Sequence, residues 1–484
     1  MQPPASPYMN PTQVRFGVLA FISSLSILTY LDRVCISRVQ DNIKGDLGFS
    51  DAGMGWVFGA FALGYGLFEV PGGWMGDVWG ARRVLTRIVL WWSLFTALTG
   101  AIGWLSGASD YYLNILWWNL PVLLVLMVLV RFLFGCGEAG AYPNMARIVG
   151  RWFPFKERGL AQGVIWTFAR LGGAMAPIVI GRLTFFLGWQ QAFLVLGFLG
   201  LVWCIFFYLW FRDRPEDMPS CNEAERSLIR GDLERTVLLP THEAEGITVR
   251  GRFSTIPNVL GSDHHEDKHT GAPWRQILTS PNMWALCISG IFVNLAWYFI
   301  PTWQPRFFKD QFQMSMEASE ILTGLPFLFG AAGAFLGGFI SDRLIRMTGS
   351  RRWGRSLVGL VGFGGAGVCL HTIGLVDQAW QAVTLLCLFT FINDLAVPVI
   401  WAAATDIGGR YAGTVSGTMN MAGCIGAALS PILTGIILGD GSTAENPWPG
   451  IFALYSAAGI ISGLAWLFID ASKPIVRKEI GGKQ

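Results

Sequence analysis

Gly72-Gly73-Trp74-Met75-Gly76-Asp77 closes one apolar run of this chain and leads into Arg82 and Arg83. Gly337-Gly338-Phe339-Ile340-Ser341-Asp342 closes another and leads into Arg343 and Arg346. A second pattern is also duplicated: Gly159, Gly163, Gly172, Pro177 and Gly181 recur as Gly413, Gly417, Gly426, Pro431 and Gly435, each 254 residues later. Self-similarity on this scale divides the chain into two related units. Glycines four residues apart let helix backbones approach closely, which suits surfaces that slide past one another.

The units are apolar throughout. Of 484 residues 52% are hydrophobic and 14% charged, with mean hydropathy +0.46, whereas soluble domains carry roughly a quarter charged residues. The segment from Arg212 to Arg275 alone holds 21 of the 67 charged residues. The remainder falls into runs near the roughly 20 residues that cross a bilayer. These runs cover 15–38, 52–76, 84–106, 118–143, 157–181, 188–211, 281–304, 318–341, 355–375, 379–404, 411–436 and 449–470. The expected fold is an all-α membrane protein, with twelve transmembrane helices in two pseudo-symmetric six-helix bundles. The bundles span 1–211 and 276–484, and a polar linker, 212–275, joins them.

The segment before Arg15 carries no cleavage signal, so the first run is expected to span the membrane rather than be removed. Of 35 basic residues, 27 lie in the termini, the linker and the gaps on the same side, and Arg38, Lys44, Arg182, Arg306 and Lys309 lie opposite. The positive-inside bias then puts both termini in the cytoplasm. Eight scattered cysteines without ligand spacing read as small apolar fillers.

The segment 72–83, GGWMGDVWGARR, resembles the loop 2–3 signature of the major facilitator superfamily, with a second copy at 337–343. Tyr30-Leu31-Asp32-Arg33, Arg131, Gly137-Glu138-Ala139, Pro143, Arg151-Trp152-Phe153-Pro154 and Glu157-Arg158 resemble the anion:cation symporter branch. That branch includes galactonate, glucarate and hexuronate permeases and vesicular sialic acid and glutamate carriers. The resemblance implies the major facilitator fold and a multi-pass protein of the plasma membrane. It also implies proton-coupled symport of a small organic anion such as a sugar acid. The proton gradient replaces any cofactor, and Asp32 and Glu138 couple protons while Arg33 and Arg131 bind the anion. A tyrosine near Tyr65 is placed in the cavity. Partners are then the substrate, protons and the lipid bilayer, around a chain expected to be monomeric.

The residues themselves support part of this. Arg33, Arg131 and Arg170 are the basic residues left inside runs, and a charge there implies a partner or a wet cavity. Guanidinium grips a carboxylate through two hydrogen bonds. Glu138 follows Arg131 by two helical turns, so the two either serve cargo and proton or merely lock helices one and four together. Arg170 has the neutral Cys424 as its repeat counterpart. It suits the far carboxylate of a dicarboxylate or a phosphate, or else a pair with Glu138 or a charge held in the half-to-half interface. Asp394 is a third proton site or a partner for a base in the other half. Tyr30, Tyr65, Tyr298, Trp401, Asn393 and Asn420 are candidate substrate contacts, with Asn294 and Trp297 near them, because amides and aromatic faces hold polyols. Glu69 reads as gate or fold. Asp77, Arg82, Arg83, Asp342 and Arg343 read as a cytoplasmic gate, an aspartate meeting the positive end of a neighbouring helix.

Other signals lack the context they require. Gly362-Phe363-Gly364-Gly365-Ala366-Gly367 fits GxGxxG inside an apolar run with no preceding strand. His264, His265 and His269 lie in the polar linker and read as solvated, so no metal site is expected. There is no phosphate-binding loop for ATP and no nucleic-acid signature. A membrane enzyme lacks its nucleophile–base or metal cluster, and the linker is short for a signalling domain. Exchange or efflux of an anion, including a phosphorylated one, remains the alternative within transport.

Overall fold

The structure is a computed structural model and describes residues 10–49, 51–108, 111–115, 118–238, 272–314, 316–438 and 446–475. The linker histidines and residues 476–484 lie outside the described residues. Ten stretches are long and apolar enough to cross a membrane, and Phe155–Ala176 with Ile178–Leu187, bent by 42°, makes an eleventh. One of the ten, Ala379–Thr434, is double, because Gly409 at φ +54° ends one helix and Ala412 starts the next. Twelve spans result.

In the first half the spans are Val14–Arg38, Asp51–Trp79, Ala81–Ile102, Val122–Glu138 continued by Ala141–Trp152, Arg158–Leu187 and Trp189–Trp210. In the second they are Pro281–Trp297 continued by Phe299–Thr302, Met316–Thr348, Arg351–Ile373, Ala379–Gly408, Ala412–Leu438 and Trp448–Ala465. The fourth starts later than its hydropathy indicates. Trp118–Pro121 is an extended strand paired antiparallel with Tyr112–Ile115, and Pro121, at φ −56° and ψ 129°, directly precedes the first helical residue.

The packing repeats with the sequence. Span 1 lies on span 5 as 7 lies on 11, 2 on 4 as 8 on 10, and 3 on 6 as 9 on 12. The halves meet along two related seams, span 2 on 11 and span 5 on 8. Glycines make both seams. A methyl group on Gly73 would overlap the Gly413 carbonyl, and one on Gly338 would overlap that of Gly159. The third, sixth, ninth and twelfth spans present large apolar side chains outward, among them Leu94, Phe206, Val361 and Leu464. Such a surface belongs in lipid.

At the face bearing the termini and the linker, buried charges join the halves. Asp77 accepts from the Gly413 and Thr414 backbone N–H groups at 3.2 and 2.6 Å, and Arg147 lies 3.1 Å away. Asp342 accepts from the Gly159 and Leu160 N–H groups at 3.1 and 2.7 Å, and Arg355 at 2.9 Å. The donors 159–160 and 413–414 are themselves 254 apart, so each aspartate caps the first turn of the other half's helix, where N–H groups lack partners. Arg158 and Arg355 share Asp406 at 2.9 and 3.3 Å.

Arg82, Arg83 and Arg343 do not join this cluster. Gly80, at φ +88°, turns the chain after Asp77. Arg82 then donates to the Tyr208 carbonyl at 3.0 Å within the first half. Arg83 is exposed. Arg343 follows Asp342 by one residue, about 100° around the helix, and is exposed. The basic partners that sequence reading missed are Arg147, Arg158 and Arg355.

The linker docks on the same face. Glu225 accepts from Thr12 Oγ1 at 2.7 Å and from Arg15 Nη1 at 3.0 Å. Burial alone would raise its carboxyl, but these hydrogen bonds outweigh it and hold Glu225 below the ordinary glutamate range.

Two expectations follow from these contacts. Gly338→Ala should lower the thermal unfolding midpoint in detergent, by an overpacking cost of about 1–3 kcal/mol. Gly364→Ala, where an added methyl meets nothing within 4 Å, should leave it unchanged or raise it; equal losses at both sites would contradict the seam. Removing both aspartates (Asp77→Ala with Asp342→Ala) takes the caps from two helix starts, at about 0.5–2 kcal/mol each, and a carboxylate from buried Arg147 and Arg355. Pulsed electron-spin distances between labels at Arg83 and Arg346 should then show a long-distance population at least about tenfold larger. An unaltered distribution would remove these carboxylates from the closure of this face.

Candidate functional site

Between the halves lies a cavity of about 110 Å³. Its lining follows helical stripes: Tyr30 and Arg33 in span 1, Trp166 and Arg170 in span 5, Asn294, Trp297 and Tyr298 in span 7. Residues three and four apart share a helix face. Tyr65, Tyr142, Asn393, Trp401, Asn420 and Cys424 complete the wall. Of the expected substrate contacts, the structure gathers Arg33, Arg170, Tyr30, Tyr65, Tyr298, Trp401, Asn393 and Asn420 around one space. Arg131 is not among them.

Arg33 sits in an aromatic enclosure. Its guanidinium carbon is 4.5 Å from the Tyr65 ring centroid and 5.9 Å from those of Tyr30 and Tyr142. Nε donates to Glu138 Oε1 at 2.5 Å. Nη2 is buried without a hydrogen-bond partner, and so is Glu138 Oε2. The pair therefore rests on one hydrogen bond and leaves Nη2 unsatisfied.

Span 4 breaks here. Ala139 is extended and Gly140 has φ +84°, so the helix restarts at Ala141 and Glu138 ends the first piece. Arg131, two turns earlier, is 1% exposed. Its guanidinium lies against Phe134 at 4.3 Å and Phe61 at 5.2 Å. It stands behind Glu138, within electrostatic range of Glu138 and Asp32. Asp32 is buried too, with Oδ1 unpartnered. It faces away from the cavity, as a residue one position before Arg33 must.

Arg170 crosses the seam. Nε and Nη2 grip Asp394 Oδ2 and Oδ1 at 2.6 and 3.1 Å, and Nη1 donates to the Tyr30 hydroxyl at 3.0 Å. Asn393 donates to Asp394 Oδ1 at 3.0 Å. Of the two arrangements open to Asp394 from sequence, the structure has the pair across the halves. Glu69, fully buried, makes another crossing. It accepts from Asn420 Nδ2 at 2.7 Å and from the Gly140 N–H at 3.3 Å.

Sequence reading passed over Tyr142 and Trp166. Their rings stack at 4.9 Å, and Trp401 lies 5.7 Å from Trp166. The three rings lie along the chain between the cavity and the ionic cluster of the linker face. The Tyr142 hydroxyl and Trp166 Nε1 are buried donors without partners. The position of Tyr142 beside Pro143, past the Glu138 motif, was the available signal. Among the described residues no group of His, Cys, Asp and Glu is arranged to hold a metal.

The comparisons with known proteins agree with this architecture. The chain is 29% identical over 458 residues to the "Probable sulfoacetate transporter SauU" of Cupriavidus necator, covering 95% of this chain and 94% of that one. It is 28% identical to the "Probable galactarate/D-glucarate transporter GudP" of Escherichia coli, over 99% and 98%. It is 26% identical to the "Hexuronate transporter" of Bacillus subtilis, over 96% and 97%. A solved structure of the proton:xylose symporter XylE has the same fold, with TM-score 0.67, 14% identity and coverage of 95% and 97%. Residues 22–431 match the family model described as Major Facilitator Superfamily, and the chain belongs to that superfamily.

Proposed function

We propose that the protein carries a small organic anion, a sugar acid or a compact relative of one, across the cell membrane by proton-coupled alternating access. One observation carries this reading: Arg33 Nη2, the Tyr142 hydroxyl and Trp166 Nε1 are buried donors without protein partners, and all three residues line one cavity. Buried polar groups are normally hydrogen-bonded. Three unsatisfied donors around a cationic centre fit a ligand rich in acceptors and negative in charge. The relatives named for sulfoacetate, galactarate, glucarate and hexuronate support the same class.

The mechanism follows from the Arg33–Glu138 pair. An anion arriving at Arg33 competes with Glu138 for the guanidinium. A carboxylate released in apolar surroundings is costly unless it takes up a proton. Anion and proton therefore enter together, and Asp32, beside Arg131, offers a second proton position. With the linker face cytoplasmic, as its basic residues favour, the described state is closed to the cytoplasm by the capping aspartates and the Tyr142–Trp166–Trp401 rings. Units 1–211 and 276–484 then rock about their glycine seams to open that face.

Two outcomes test this. Arg33→Ala should raise the KM for anion uptake into proteoliposomes roughly 10- to 100-fold, the worth of one or two charge-assisted hydrogen bonds; near-normal uptake by that variant would remove Arg33 from the site. Glu138→Gln should exchange substrate across the membrane but fail to accumulate it under a pH gradient. Full accumulation by Glu138→Gln would assign coupling elsewhere.

A further inference from the structure

The two cavity arginines are unlike each other. Arg33 has one edge held by Glu138, whereas Arg170 is held on both sides yet still has hydrogens to spare. A guanidinium carries five N–H groups. Nε and one on Nη2 go to Asp394, and one on Nη1 goes to Tyr30. One hydrogen on each Nη remains, along the edge that can grip a carboxylate, sulfonate or phosphate with two parallel bonds. Tyr30 accepts from Arg170, so its own hydroxyl proton is also unclaimed. Trp297 flanks the guanidinium at 4.4 Å and Trp166 at 5.6 Å, which fixes its plane.

We infer that Arg170, Tyr30 and the positioning carboxylate Asp394 form a second anion subsite, and that the preferred substrate is a compact dianion with its two charged groups on Arg33 and Arg170. This rests on the cavity being an anion site. Three features favour it over a simple seam tie. Arg170 lines the cavity together with Arg33. Tyr30 links the two, its hydroxyl on Arg170 and its ring 5.9 Å from the Arg33 guanidinium, so one side chain bridges the gap between the cations. The repeat counterpart, Cys424, lines the same cavity without a charge. Fold symmetry thus supplies no reason for Arg170. Asp394, anchored by Asn393, aligns the guanidinium and leaves its outer edge to the cargo.

Competition against a transported anion in wild-type proteoliposomes tests this with pairs matched in carbon number: sulfoacetate against glycolate, and glucarate against gluconate. The dianion of each pair should compete roughly 10- to 100-fold more strongly. In Arg170→Gln with Asp394→Asn, which removes both charges so that neither is stranded, the ratio should collapse towards one. Equal competition by monoanions and dianions in the wild type overturns the inference while leaving anion transport standing. So does an active double variant that keeps the wild-type ratio. If the double variant is inactive, the wild-type ratio decides. If no anion is taken up by the wild type, the proposed function falls and this inference with it.

Discussion

A guanidinium in an apolar slab has to be matched by negative charge, and the arrangement of this protein follows from how that is done. Among the described residues around the cavity, Arg33, Arg131 and Arg170 stand against Asp32, Glu69, Glu138 and Asp394. The acids exceed the bases by one. An arriving anion adds to that excess, and a low-dielectric site tolerates it only if protons arrive too. On the proposed reading, coupling of cargo to protons follows from charge balance, with no dedicated device required.

The charges divide into two sets by what they hold. At the linker face Asp77 and Asp342 cap helices of the opposite half, and Arg158 and Arg355 share Asp406. Each of these charges has an opposite partner or helix N–H groups within 3.3 Å, with Arg355 Nη2 left without a hydrogen bond. Around the cavity the pairs are incomplete: Arg33 Nη2, Glu138 Oε2 and Asp32 Oδ1 are left over. Arg33 borders a cavity that a ligand can enter, whereas Arg355 does not line it. The broken helix at Ala139 and Gly140 keeps Glu138 at a helix end, facing Arg33.

Much of this was legible in the sequence. Hydropathy located the twelve spans, and the 254-residue offset marked spans 5 and 11, one side of each seam. The same offset holds more than was read from it, because the N–H groups that Asp77 and Asp342 cap are repeat equivalents. Arg33, assigned to the anion, was found at the cavity. Arg131 was not, since its direction depends on where span 4 breaks and on the Phe134 and Phe61 rings, and neither is a matter of period. Arg82, Arg83 and Arg343 were drawn into the gate by proximity to the aspartates, although a left-handed glycine and a 100° helical step turn them outward. Arg170–Asp394 joins residues 224 apart. No single-sequence pattern announces such a contact.

The central claim is that the cavity guanidinium is completed by the cargo. A structure determined with sulfoacetate bound tests it most directly. An anionic oxygen should lie about 3 Å from Arg33 Nη2, with Glu138 drawn away from Arg33. Density for the anion elsewhere, with the Arg33–Glu138 pair intact, would contradict the account.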